Sequence, residues 1–133
     1  MAHRILTATY TDRIETLLFD SEARSLSITS SLTVGHRPSW ITPHPGNPGI
    51  WFVALEQEDG RVVAIKYDEE GKGNIVGEVS SGGAEPCTLV VYKGDLFIGN
   101  VSCWFPPQIA DPEYLPALLF MHARALCWLY RCA

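Results

Sequence analysis

Residues 35–56, GHRPSWITPHPGNPGIWFVALE, and residues 82–100, GGAEPCTLVVYKGDLFIGN, are two renderings of one pattern. Gly35 falls on Gly83, Pro38 on Pro86 and Trp40-Ile41 on Thr88-Leu89, all at a step of 48. After a shorter turn, Phe52 falls on Phe97 at a step of 45. The pattern also runs back toward the N-terminus. RILTATY (residues 4–10) resembles IWFVALE (50–56), and IETLLFD (14–20) sits on VVAIKYD (62–68), again at a step of 48. Each unit reads as four strands, which in the middle unit are residues 39–43, 50–55, 61–67 and 74–80.

Four strands repeated every 40–50 residues or so are the mark of a β-propeller blade. The residue chemistry says the same without the alignment. Trp51-Phe52-Val53-Ala54-Leu55 is apolar at consecutive positions, so both faces of that strand require burial. A blade held between two others provides that environment. The third strand keeps more alternation, with Val63, Ile65 and Tyr67 opposed to Ala64 and Lys66. PGNPG, EDG, EEGKG and KGD supply turns between strands. An all-β sandwich is the alternative, but it leaves the recurrence of Gly and Pro at matching places without a cause.

The first unit starts at its second strand, the middle one is complete, and the last stops being strand-like after its second. The expected fold class is therefore all-β, an incomplete β-propeller of about two and a half four-stranded blades. Since a ring takes roughly four to eight blades, this chain is not expected to close one. Open blade faces and bare edges should then drive self-association. A domain boundary is expected near 102, with the partial propeller over 1–102 and an apolar tail over 103–133. Within the tail, LPALLFMHARALCWLY (115–130) reads as a helix from Pro116 onward, rich in Ala and Leu. The tail is thus expected to be helical or disordered, and too short and too charged for a membrane span.

Charge and cysteine content restrict the function. A net charge of −5 opposes nucleic-acid binding, which depends on a cationic face. The N-terminus has no apolar signal-like run, so the four cysteines are read as reduced thiols in a cytoplasmic protein. Three of them, Cys103, Cys127 and Cys132, fall in the tail with His122, at spacings unlike those of zinc knuckles. No metal or other cofactor is expected. No Gly-x-Ser-x-Gly elbow, P-loop or dinucleotide fingerprint occurs, and SSGGAEP (80–86) has no helix after it.

RPSWITPHP, a strand ending VALE, and EPCTLVVYKGDLFIGN together resemble the seven-bladed propeller lactonases, a group that includes 6-phosphogluconolactonase-type enzymes and fungal carboxy-muconate cyclases. The resemblance covers residues 4–102. It implies lactone hydrolysis or lactone formation on a small sugar-acid or carboxylated substrate, with a small-molecule lactone as partner and neither nucleic acid nor membrane. Members often carry His where this chain has Thr88, and Tyr where it has Val101. The likeness stops after Ser102, at Cys-Trp-Phe-Pro-Pro, as in a truncated or misread product, and most of the family's proposed catalytic residues lie in later blades. The chain is accordingly expected to be inactive. The competing class is a non-enzymatic propeller fragment acting as a protein-interaction module.

Lactone chemistry needs a base for water, donors for the oxyanion and cations for a substrate anion. The candidates are Glu56 as the catalytic carboxylate, with His36, Arg37 and Asn100 binding substrate. Glu56 and Asn100 end two equivalent strands, which places both near one mouth of a central channel. His36 and His44 flank the first strand of the middle unit and serve equally well as solvated turn residues. Glu56 and Asn100 serve equally well as strand caps.

Overall fold

The computed structural model of the protein describes residues 1–102 and the strand 122–127. The rest of the tail, including Cys103, Trp104, Phe105, Trp128 and Cys132, lies outside the described residues, as does the remainder of the helix expected over 115–130. Three sheets follow one another along the chain. The first holds β1 (Ala2–Ala8), β2 (Arg13–Asp20) and β3 (Ser25–Thr33) in that order. The second holds β4 (Pro38–His44), β5 (Asn47–Leu55), β6 (Arg61–Tyr67) and β7 (Gly73–Ser80). The third is built from β8 (Ala84–Tyr92) and β9 (Asp95–Ser102), with β10 (His122–Cys127) on the far side of β9.

The middle sheet is the expected four-stranded antiparallel meander, with β6 at its expected boundaries and β5 starting earlier than expected, at Asn47. β5 pairs with β6 around the Glu58-Asp59-Gly60 turn, with Val53 opposite Val63, while β4 lies on the other side of β5. The β4–β5 turn is tighter than PGNPG suggests. Only Pro45 and Gly46 lie between the paired His44 and Asn47, so Pro48 and Gly49 already belong to β5.

The repeat seen in the sequence is also a repeat of irregularities. Pairing slips between Pro38 and Trp40 in the second sheet, and between Pro86 and Thr88 in the third, the same place one period later. A bulge between Thr16 and Leu17 recurs between Ala64 and Ile65. Bulges bend strands and re-aim side chains, so their recurrence gives successive blades the same twist. The connections repeat too. Val34 N donates to Asp12 O at 2.9 Å, and Ser81 N donates to Gly60 O at 2.8 Å.

Alternation along β5 and β6 sends two sets of side chains to opposite faces, here called leading and trailing. On the leading face Ile50, Phe52, Ala54, Val62 and Ala64 pack against Leu89, Leu96 and Ile98 of the third sheet. On the trailing face Val53, Leu55, Val63 and Ile65 pack against Ile14 and Val34, with Leu6, Ala8 and Leu32 of the first sheet at the margin. Both cores thus share one hairpin, and burial of each Val, Ile or Leu is worth about 1.5–3 kcal/mol. Two side chains of β4 lock onto β8: Ser39 Oγ donates to Pro86 O at 3.0 Å and Trp40 Nε1 to Leu89 O at 3.1 Å. Between the second and third sheets the contacts gather where β4 and β5 meet β8, and between the first and second they run from β1 against β4 to β3 against β7.

The tail departs from the helix expected of it. Its described part, His122–Cys127, is a strand running parallel to β9, with His122 opposite Asp95 and Cys127 opposite Asn100. Helix propensity is a preference of a few tenths of a kcal/mol per residue, whereas the edge of β9 offers a row of unpaired backbone groups. Pairing with that edge prevails. β10 takes the position of a third blade strand but points the opposite way from β6 in the middle blade. Among the described residues there is no helix, and none long and apolar enough to cross a membrane.

Gly60 is where the crossover into the third sheet presses on the β5–β6 turn. A Cβ there would come within 2.5 Å of Gly83 O and 2.6 Å of Pro86 Cδ, neither of which has a flexible end to move. Gly60→Ala should cost about 1–3 kcal/mol in urea unfolding, the range for overpacking. At Gly94 a Cβ would meet nothing within 4 Å, but its φ of +88° in the Lys93-Gly94 hairpin turn is one that side chains rarely adopt. Gly94→Ala should therefore cost about 1 kcal/mol through backbone strain alone.

Candidate functional site

Tyr10, Arg37 and Glu56 meet where the first two sheets converge. Three backbone bonds set them there. Tyr10 N donates to Pro38 O at 3.3 Å, Arg37 N to Thr11 O at 2.8 Å, and Glu56 N to Arg37 O at 2.9 Å. Tyr10 (φ 56°) and Arg37 (φ 54°) both occupy the left-handed region, which is uncommon for residues with a side chain and concentrates at functional positions. One period after Arg37, Glu85 repeats the arrangement, with φ 54° and its N–H donated to Gln57 O at 2.8 Å. The strained turn is thus part of the blade architecture. The side chains it carries differ from blade to blade.

The side chains form a closed set of contacts. Tyr10 Oη donates to Glu56 Oε2 at 2.7 Å, and an Arg37 terminal nitrogen (Nη2) donates to Glu56 Oε1 at 3.4 Å. The guanidinium carbon lies 5.8 Å from the centre of the Tyr10 ring, within cation–π range. Glu56 is mostly covered, its side chain 15% exposed, whereas that of Arg37 is 38% exposed. Both carboxylate oxygens are engaged, but the arginine contact is long, and most of its donors remain available to an incoming anion.

These contacts shift two acidities. The Tyr10 phenol is held above its ordinary range, first because ionisation would lose the hydrogen bond to Glu56 and then through desolvation and the carboxylate's charge. Cys87, a free thiol on β8, is pushed up by burial and then by the Glu56 charge, so it is a poor nucleophile here.

The other residues singled out from the sequence are dispersed. His36 is exposed on the turn before Arg37. His44 stands at the opposite end of β4, roughly 20 Å along the strand at 3.3 Å per residue. There it accepts from Gly46 N through Nδ1 at 3.0 Å and lies beside the Phe52 ring. Asn100 is buried at 1% exposure between the second and third sheets, its Nδ2 donating to Ser81 O at 3.1 Å. Pairing registers explain why it does not join Glu56. Pro38 faces Leu55 and Pro86 faces Asn100, so Asn100 is the counterpart of Leu55, and Val101 that of Glu56. One residue of offset turns a strand side chain to the other face. Tyr10 is the residue the sequence reading passed over. Its signal was present, since the match of residues 4–10 to 50–56 sets Tyr10 on Glu56.

At the His44 end, a separate cavity of about 230 Å³ opens between the first two sheets, lined by Arg4, Thr16, Trp51, Tyr67 and Asp68 among others. Burial raises the Tyr67 phenol pKa, with Thr16 partly offsetting it. No group of three or more His, Cys, Asp or Glu suited to a metal ion occurs among the described residues.

Residues 4–101 match the family described as lactonase, 7-bladed beta-propeller. Two solved structures are similar to the chain. One is a proposed 6-phosphogluconolactonase from Bacteroides uniformis, at 20% identity and TM-score 0.66, covering 82% of this chain and 34% of that one. The other is a proposed 6-phosphogluconolactonase from Bacteroides fragilis, at 21% identity and TM-score 0.68, covering 88% of this chain and 34% of that one. The chain thus spans about a third of the length of either. No curated protein matches it.

The phenol shift has a checkable consequence. A group whose folded pKa lies above its unfolded value adds stability that is full below the unfolded pKa and is lost as pH rises through the folded one. For Tyr10 the window opens at about pH 10, the ordinary phenol value. Denaturant midpoints should fall more steeply above that pH in the wild type than in Tyr10→Phe. Absorbance titration should find the Tyr10 phenol ionising at lower pH in Glu56→Gln.

Proposed function

The chain belongs to the seven-bladed β-propeller lactonase family, and from that premise we propose that its blades form one side of a cleft for a small anionic lactone or its open hydroxy acid. The observation that carries this reading is the Tyr10–Glu56–Arg37 set, a partly free guanidinium and a phenol held on one covered carboxylate. Arg37 turns toward the substrate's phosphate or carboxylate, where a charge-assisted bond is shorter and stronger than its 3.4 Å contact with Glu56. That movement frees Glu56 Oε1. Ring opening needs water deprotonated as it attacks the carbonyl carbon, after which the acyl–oxygen bond breaks and the ring oxygen takes a proton. The freed Glu56 oxygen would take the proton from water, and the single Tyr10 O–H would leave Glu56 Oε2 to donate to the oxygen on which charge develops. The reverse sequence forms the lactone.

A phosphorylated sugar lactone is the substrate class to test first, by analogy with the two Bacteroides proteins, and a carboxylated muconate lactone comes second. A reaction in the cytoplasm suits the free thiol of Cys87 beside the site. Because these blades supply one side of the cleft, binding without turnover is the outcome proposed for the 133-residue chain.

Titration of the stable acid 6-phosphogluconate, followed by NMR, tests the reading. Perturbations should centre on residues 10, 37 and 56, and Arg37→Ala should weaken binding by about tenfold or more. Gluconate, lacking the phosphate, should bind less well. No binding, or binding indifferent to Arg37, refutes the proposal. Hydrolysis of 6-phosphogluconolactone should run no faster than in buffer. Turnover that disappears in Glu56→Gln would instead show that these blades suffice and that Glu56 is the base.

A further inference from the structure

The cavity of about 230 Å³ lies between the first two sheets, at the end remote from Tyr10, Arg37 and Glu56. Arg4, Leu6 and Thr16 line it from the first sheet, and Trp51, Tyr67 and Asp68 from the second. It is thus a feature of one internal junction and owes nothing to the faces left open at either end of the stack. Thr16, at 2% exposure, marks the deep end, while Arg4 and Asp68 are exposed and form the rim. The β6–β7 turn fixes that rim on the first sheet. Arg4 Nη1 donates to Glu69 O at 2.6 Å, and Ser30 Oγ donates to Gly71 O at 2.9 Å. Asp68 Oδ1 accepts from Lys72 N at 2.7 Å. Among the described residues, Arg4 and Asp68 do not pair with each other, and Asp68 Oδ2 and the other Arg4 N–H groups have no partner. Tyr67 Oη is buried and makes no hydrogen bond, although Thr16 lies close enough to affect its acidity. A buried polar group without a partner is uncommon enough to require a cause.

We propose that this cavity binds a neutral single-ring molecule carrying adjacent hydroxyl groups. An apolar cavity of about 150 Å³ holds one benzene, so 230 Å³ admits one ring with small substituents. Trp51 and Leu6 give that ring an apolar wall, and the few polar groups around it fix its orientation. The rim offers unused donors on Arg4 and an unused acceptor on Asp68. Adjacent hydroxyls answer both, one accepting from the guanidinium while its neighbour donates to the carboxylate. A hydroxyl at the deep end supplies the acceptor that the Tyr67 O–H lacks. A ring acid accepts but does not donate, and it sets its own charge against Asp68. A ring amine meets the same conflict at Arg4. The site is separate from the Tyr10–Glu56–Arg37 set, and the inference does not depend on the lactone reading.

Titration of the 133-residue chain with cis-cyclohexane-1,2-diol and with catechol, followed by NMR, tests it. The two probes separate a saturated ring from an aromatic one. With at least one of them, perturbations should centre on residues 4, 16, 51, 67 and 68 and leave residues 10, 37 and 56 in place. Benzoate and benzylamine should each bind about tenfold more weakly than the better diol. Asp68→Asn keeps an oxygen for Lys72 N but puts a donor where Oδ2 stood. It should weaken diol binding by about tenfold and remove the discrimination against benzoate. Tyr67→Phe should weaken binding severalfold while its urea midpoint stays the same or rises, since the hydroxyl it removes is buried without a partner. No perturbation by either diol, perturbation centred elsewhere, benzoate bound as well as the diols, or affinity unchanged in both variants would each overturn the proposal.

Discussion

Burial of one hairpin on both of its faces is the constraint from which the rest follows. β5 and β6 contribute to two separate cores, with Val53, Val63 and Ile65 on one side and Phe52, Ala54 and Val62 on the other. A hairpin apolar on both faces requires a sheet against each of them. The first and third sheets are the answer, and their own outward faces inherit the same requirement. Each added sheet covers one apolar face and presents another, which is why such structures end by closing rings or by meeting another chain.

The same stacking builds the candidate site. Glu56 lies at the end of β5 and Tyr10 beyond the end of β1, at matching places in successive sheets, and Arg37 lies on the connection between those sheets. Packing of the first sheet on the second brings the three together, and the left-handed backbone at Tyr10 and Arg37 directs their N–H groups across the junction. The electrostatics then follow from proximity. A carboxylate that is 15% exposed and accepts from both a phenol and a guanidinium keeps them oriented, and the phenol resists ionisation as a result. The next junction repeats the backbone with Glu85 in place of Arg37 and Val101 in place of Glu56, so among the described residues this set of side-chain contacts is confined to the first junction.

Much of this was legible in the chain itself. The step of 48, the recurring Gly and Pro, and the consecutive apolar run 51–55 specify four-stranded units buried on both faces, and the middle sheet has its four strands where that pattern puts them, apart from the earlier start of β5 at Asn47. Glu56 and Arg37 stood out as charged groups at strand ends. Those are local properties, since the period of side-chain alternation and the demands of turns are set by residues close in sequence.

Other features needed the assembled sheets. Asn100 looks equivalent to Glu56 until the register shows Pro86 opposite Asn100 and Pro38 opposite Leu55, a difference of one residue that sends it into the core. Tyr10 falls on Glu56 in the repeat, but the contact between them is invisible along the chain because the two are 46 residues apart and meet only when two sheets pack. The run 122–127 carries helix-forming residues, yet it is a strand, because the backbone groups on the edge of β9 outweigh a weak local preference. Sequence alone determined the four strands of the middle blade and that each blade needs neighbours. The tertiary structure decided which side chains meet between blades, because those contacts are fixed by register, bulges and sheet-on-sheet packing, all of them relations between distant parts of the chain.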